Sequence, residues 1–140
     1  MKTSDFQDLN ITAVSPADVE ETGASLDSVQ AQTIATLQNV VDTIERPARL
    51  IKNGLTTGSH NAKEHAVGLA VDFYFINKVD KSEINQIIFA MIRAGFNGIG
   101  VYWNGNIFSF HGDLRATPVV WRGEKSGIEE QWKYTTIIFV

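Results

Sequence analysis

Three features of this 140-residue sequence predict an α+β domain with a small, mostly antiparallel sheet packed against two helices. Two runs repeat apolar residues at spacings of three and four, the signature of a helix with one buried face. Two β-type runs flank Asn104-Gly105, a dipeptide suited to the positive φ angles of a hairpin turn. The order of the elements is helix, strand, loop, strand, helix, hairpin, strand, which does not alternate as a parallel α/β fold would.

Residues 1–25 carry few apolar positions and read as an N-terminal arm, with Phe6, Leu9 and Ile11 available for docking. Residues 26–140 form a single domain, since no repeat, linker or low-complexity run divides them. Leu26, Val29, Ile34, Leu37, Val40, Val41 and Ile44 give the first helix its apolar face. Ser25 is its candidate N-cap, and Pro47 stops it. Ala48 to Asn53 is a short strand. Gly54 to His65 is a loop, because glycines and small polar residues break both periodicities.

The apolar run Leu69 to Phe75 reads as a buried strand. Ser82 is the candidate cap of a second helix, whose face carries Ile84, Ile87, Ile88, Met91 and Ile92 and which Gly95 ends. Gly98 to His111 is the hairpin, with a type I′ turn expected at Asn104-Gly105. Tyr134 to Val140 closes the chain as a final strand.

Composition narrows the chemistry. The chain has no cysteine, so disulfides, thiolate metal sites and a cysteine nucleophile are excluded. A formal net charge of −4 speaks against nucleic acid as a partner. No run approaches the roughly 18 apolar residues of a membrane span, and no signal peptide is visible. The expectation is a protein made in the cytoplasm.

Asp72 interrupts the apolar strand. An ionised carboxylate in such a setting needs a partner or a metal. The chain has three histidines, His60, His65 and His111. His65 lies seven residues before Asp72, about 23–25 Å if extended, so the chain must turn back for the two to meet. Two imidazoles and a carboxylate, with one position left to water, make the usual layout of a catalytic zinc site. The residues alone leave alternatives open: Asp72 held by backbone amides, His65 and His111 as structural residues, and Asp113-Leu114-Arg115 as a turn with a surface ion pair.

His65-Ala66-Val67-Gly68-Leu69-Ala70-Val71-Asp72 resembles the H-x-x-G-x-A-x-D signature of the zinc D-alanyl-D-alanine carboxypeptidase family. Gly98-Ile99-Gly100-Val101-Tyr102 followed by Phe110-His111-Gly112-Asp113 is similar to the GIGxY…FxHxD end of one branch, which includes phage endolysins and cell-wall peptidases. Asn61 and Trp121 match further positions of that branch, and the resemblance runs roughly from Ser28 to Trp121.

The resemblance implies a hedgehog/DD-peptidase-like fold and one Zn²⁺ per chain, held by His65, Asp72 and His111. It implies a zinc-dependent peptidase that hydrolyses peptide bonds of peptidoglycan stem peptides, as a carboxypeptidase or an endopeptidase. Such an enzyme acts on the cell wall, in the manner of a phage lysis or virion protein.

The sequence also departs from the family. Lys63 replaces the usual serine before the first ligand, and Asn53-Gly54-Leu55-Thr56 occupies the stretch of the family's substrate-gripping arginine. Phe108 stands where many relatives carry the general base. Asp113 is then the first candidate for the base and Glu64 the second, with Arg115 the candidate for anion binding. His60 is expected to be a loop residue and not a ligand. The alternative to an enzyme is a non-catalytic metal-binding or virion or cell-wall binding module on the same fold.

Overall fold

The structure, a computed structural model, describes residues 11–12, 28–51, 69–125 and 133–137. Its elements are β1 (Ile11–Thr12), α1 (Ser28–Ile44), β2 (Ala48–Leu50), β3 (Ala70–Phe75), α2 (Ile84–Ala94), β4 (Gly98–Trp103), β5 (Phe108–Asp113), β6 (Val119–Glu124) and β7 (Lys133–Ile137). Together the strands form one seven-stranded sheet in the order β1-β2-β3-β5-β4-β6-β7.

The class is α+β as expected, but the sheet is mixed and not mostly antiparallel. Two neighbouring pairs are parallel, β1 with β2 and β4 with β6. The second follows from chain geometry. β5 ends beside the start of β4, where Asp113 pairs with Gly98, and the short link 114–118 steps across that end to run up the other side of β4. β6 had no counterpart in the sequence reading, because Val119–Glu124 is short and half polar.

Alternation along the strands divides the sheet into two faces. Val71, Phe73, Phe75, Ile99, Val101, Phe110 and Val120 point to the helix side and form the core with Leu37, Val40 and Met91 of the helices. Phe73, Phe75 and Phe110 pack as an aromatic triad with ring centroids 5.4–5.7 Å apart. Burying each such ring contributes roughly 1.5–3 kcal/mol, so this cluster anchors β3 to β5. Ile11 of the arm is buried in the same core and pairs with Ala48, while Phe6 and Leu9 lie outside the described residues.

The helix ends refine the sequence reading. Asp80, not Ser82, is the cap at the start of the second helix: its carboxylate accepts from the Ser82 amide across a 3-10 turn, Lys81–Glu83, and Glu83 accepts from the Asp80 amide. Glu83 also takes an ion pair from Arg46, which ties this cap to the end of α1. Gly95 ends α2 with φ +117°, as expected of a left-handed C-cap. Ile92 is 39% exposed, so it lies at the margin of the packed face it was assigned to.

At the hairpin, four residues link β4 to β5 and Gly105 alone has positive φ. The turn is therefore not type I′, which needs positive φ at both central residues. The Asn104 side chain instead accepts from the amides of Asn106 and Ile107. Ser25 and the loop 54–65 lie outside the described residues, as do 138–140 of the final strand. Among the described residues, no helix is long and apolar enough to cross a membrane.

Candidate metal centre

The face of the sheet away from the helices carries a row of candidate site residues. Asp72 on β3 pairs in register with His111 on β5, His111 with Gly100 on β4, and Gly100 with Trp121 on β6. One step along, Ala70, Asp113, Gly98 and Val119 form the next row. Side chains of residues directly opposite each other in a sheet share a face and touch. Register thus joins Asp72 to His111 although 39 residues separate them in the chain.

His111 is buried and has a carboxylate at each ring nitrogen. Nδ1 is 3.0 Å from Asp72 Oδ1, and Nε2 is 2.7 Å from Asp113 Oδ2. Both partners are acceptors, so both nitrogens carry protons in the metal-free protein and the ring is an imidazolium. Burial alone would lower the His111 pKa; the hydrogen bonds and charges of Asp113 and Asp72 outweigh it and push it up to about 9.

Asp113 is fully buried and saturated. Besides His111, it accepts from the Arg115 backbone amide at 3.1 Å, from Arg115 Nε at 2.8 Å and from Arg115 Nη2 at 2.6 Å. Burial would raise its pKa, yet the Arg115 and His111 bonds hold its carboxyl well below the usual carboxylate range. A general base needs a lone pair directed at the attacking water. The described contacts of Asp113 are those of a carboxylate that orients its neighbours.

Two glycines make the room for this. A Cβ at Gly98 would lie 2.2 Å from either Asp113 carboxylate oxygen, and one at Gly100 would lie 2.7 Å from the Trp121 ring. The Trp121 ring in turn leans on His111 at a centroid distance of 5.0 Å and sits under the Arg115 guanidinium at 5.2 Å. Its Nε1 donates to the Tyr102 hydroxyl at 2.7 Å. Gly98-Ile99-Gly100 therefore alternates two site positions with one core position, Ile99, which is buried against the helices.

Asp72 differs from its reading as a buried carboxylate. About a third of its side chain, 34%, is exposed, so it forms the open end of the row. The run Leu69 to Phe75 is apolar on one face only: Asp72 and Tyr74 alternate with the buried Val71, Phe73 and Phe75.

Asp72 and His111 are two donors of the types a zinc ion takes. Ligands of a tetrahedral zinc with bonds of about 2.0–2.1 Å sit about 3.3 Å apart, close to the 3.0 Å between Nδ1 and Oδ1. Where a histidine ligates zinc, a carboxylate on its far nitrogen is the usual outer partner, and Asp113 stands in that relation to His111. Among the described residues, no three side chains form a metal-holding group. His65, the third ligand the motif implies, lies outside them, as do His60, Glu64, Lys63 and Asn61.

A cleft of about 730 Å³ opens elsewhere, between α2 and the helix side of the sheet, with Ile84, Ile88, Val101, Trp103 and Phe108 in its wall. Its lining includes none of Asp72, His111 and Asp113, and Trp121 is the residue of this centre that also borders it. Compared with family models, with curated proteins and with solved structures, the chain finds no match.

Proposed function

We propose that this chain is a zinc-dependent peptidase that hydrolyses peptide bonds of peptidoglycan stem peptides, on a hedgehog/DD-peptidase-like fold. The observation that carries the reading is the Asp72–His111 pair, joined by register on the open face of the sheet. It lends weight to the resemblance, because the two signature segments supply one residue each to a pair of the right donor types and spacing.

In this reading His65, Asp72 and His111 hold the ion, which when bound supplies a water of lowered pKa and polarises the scissile carbonyl. The chain's own residues do the rest. Asp113 holds the His111 Nε2 proton and leaves Nδ1 turned to Asp72, the orientation a ligand needs. Arg115 keeps Asp113 ionised and is committed to it through a two-pronged contact, which argues against Arg115 as the group that grips substrate. With Asp113 saturated, the base falls to Glu64.

One observation favours the second reading, a non-catalytic metal-binding or cell-wall binding module: the first base candidate is buried and fully engaged. Metal analysis of protein purified without chelator, beside an assay for new amines released from purified peptidoglycan, separates the two. About one zinc per chain with release of amine is the expected result. Zinc without amine release favours the metal-binding module, and no zinc after reconstitution removes the peptidase and the metal-binding module alike.

A further inference from the structure

α1 lies against α2 on the β3 side of the helix layer, and the cleft of about 730 Å³ opens on the other flank of α2, beside β6. Ile84 and Ile88 form its helix wall, with Val101, Trp103 and Val120 across from them. Residues four apart lie one above the other on a helix, so the exposed Ile92 extends the Ile84–Ile88 row by a further turn. The apolar strip is narrow. On β6, Arg122 and Glu124 follow Val120 on the same side of the strand, pair with each other and are half exposed, which marks a solvated border.

One end of the strip is charged. Lys78 and Lys81, in the chain that enters α2, border the cleft and are exposed. Neither pairs with a carboxylate among the described residues. Asp80 between them is turned to the amide and hydroxyl of Ser82. The three charges sum to one net positive charge, which a singly charged anion neutralises.

We infer that this cleft binds a soluble medium-chain alkyl carboxylate, with its chain between α2 and Val120 and its carboxylate at Lys78 and Lys81. The row from Ile84 to Ile92 spans about 12 Å at 1.5 Å per residue, the length of an extended chain of about ten carbons. A partner helix, about 10 Å across, is too wide, because it would also cover Arg122 and Glu124 and strip water from their charges. The inference is independent of the peptidase reading, since Asp72, His111 and Asp113 lie on the other face of the sheet.

The test is calorimetric titration of the full chain with decanoate, octanoate and decyltrimethylammonium, each below its micelle-forming concentration. Decanoate is expected to saturate one site, about 10-fold more tightly than octanoate, because two more CH₂ groups are buried. The cation of equal chain length binds about 10-fold more weakly than decanoate, although the net charge of −4 favours it. The double variant Lys78→Gln, Lys81→Gln, at two exposed positions, weakens decanoate about 5-fold and narrows its lead over the cation. Ile84→Asp sets a carboxylate in the strip, at the first turn of α2 where an acid suits the helix, and abolishes decanoate binding.

Absence of saturable decanoate binding in the millimolar range overturns the inference, as does a cation that binds as tightly as decanoate. Decanoate binding unchanged in the lysine double variant overturns it too, and that variant decides alone should Ile84→Asp not fold. Ile84→Asp protein that is folded by circular dichroism and still binds decanoate places the ligand elsewhere and has the same consequence.

Discussion

Asp72 and His111 stand directly opposite each other on β3 and β5, with Oδ1 and Nδ1 3.0 Å apart, at the exposed end of a chain of contacts that runs on through Asp113 to Arg115. One end of that chain is open and the other is closed, and the two ends have different consequences when altered.

At the open end, Asp72→Ala removes a proposed ligand from a partly exposed position. The expected outcome is loss of bound zinc by elemental analysis, with the fold retained in far-ultraviolet circular dichroism. A variant that keeps a full equivalent of zinc would remove Asp72 from the ligand set.

At the closed end, Asp113→Asn keeps the shape but takes the charge from between His111 and Arg115. The expected cost is about 2–3 kcal/mol of stability, read from denaturant unfolding. Zinc affinity falls about 10- to 100-fold, because an outer partner is lost and not a ligand. Abolished cleavage with zinc affinity unchanged would instead make Asp113 the base.

Gly98→Ala tests the space reserved for that carboxylate. The new methyl would lie 2.2 Å from both oxygens, on a strand that cannot move without its neighbours. A loss of about 1–3 kcal/mol is expected, together with weakened zinc binding. Gly100→Ala, which meets the Trp121 ring at 2.7 Å, is expected to behave similarly. Wild-type stability in both would mean that the second face repacks freely.

The pH dependence follows from the two shifts. His111 binds its proton more tightly folded, at about 9, than unfolded, at 6.5, so its contribution is complete below pH 6.5 and is lost as pH rises through about 9. Its size is on the order of 3 kcal/mol. Asp113 is shifted down, so its contribution is complete above its ordinary 3.8 and is lost as pH falls below that. Metal-free protein is therefore most stable between about pH 4 and 6.5 in melts with chelator. If His111 holds zinc as proposed, the ion competes with its proton, and zinc affinity is expected to rise over the range where metal-free stability falls.

Much of the fold was legible in the sequence because it rests on local periodicity. The apolar faces of α1 and α2, Gly95 as the left-handed cap and the existence of the hairpin are read from neighbouring residues. What local pattern could not reach was strand partnership. β6 was missed because six half-polar residues carry little signal alone, and it is stabilised by running beside β4. The turn type was misjudged because Asn104 uses its side chain in place of its own positive φ.

The candidate site divides in the same way. Asp72 drew attention as a carboxylate in an apolar run, yet its exposure depends on which face of β3 the helices cover. Asp113 was legible as a carboxylate near His111. Its saturation was not, because that depends on Arg115 folding back and on Gly98, fifteen positions earlier, leaving space across the strand pair.

By itself, then, the sequence determined the kinds of groups available: three histidines, no thiol, a carboxylate in an apolar strand, and glycines at alternate positions. These are properties of residues and their near neighbours, where side-chain chemistry and period decide. The tertiary structure alone decided which groups meet. Hydrogen-bond register between β3, β5, β4 and β6 brings Asp72, His111 and Trp121 into one row, and the energy that holds this register comes from apolar burial on the opposite face.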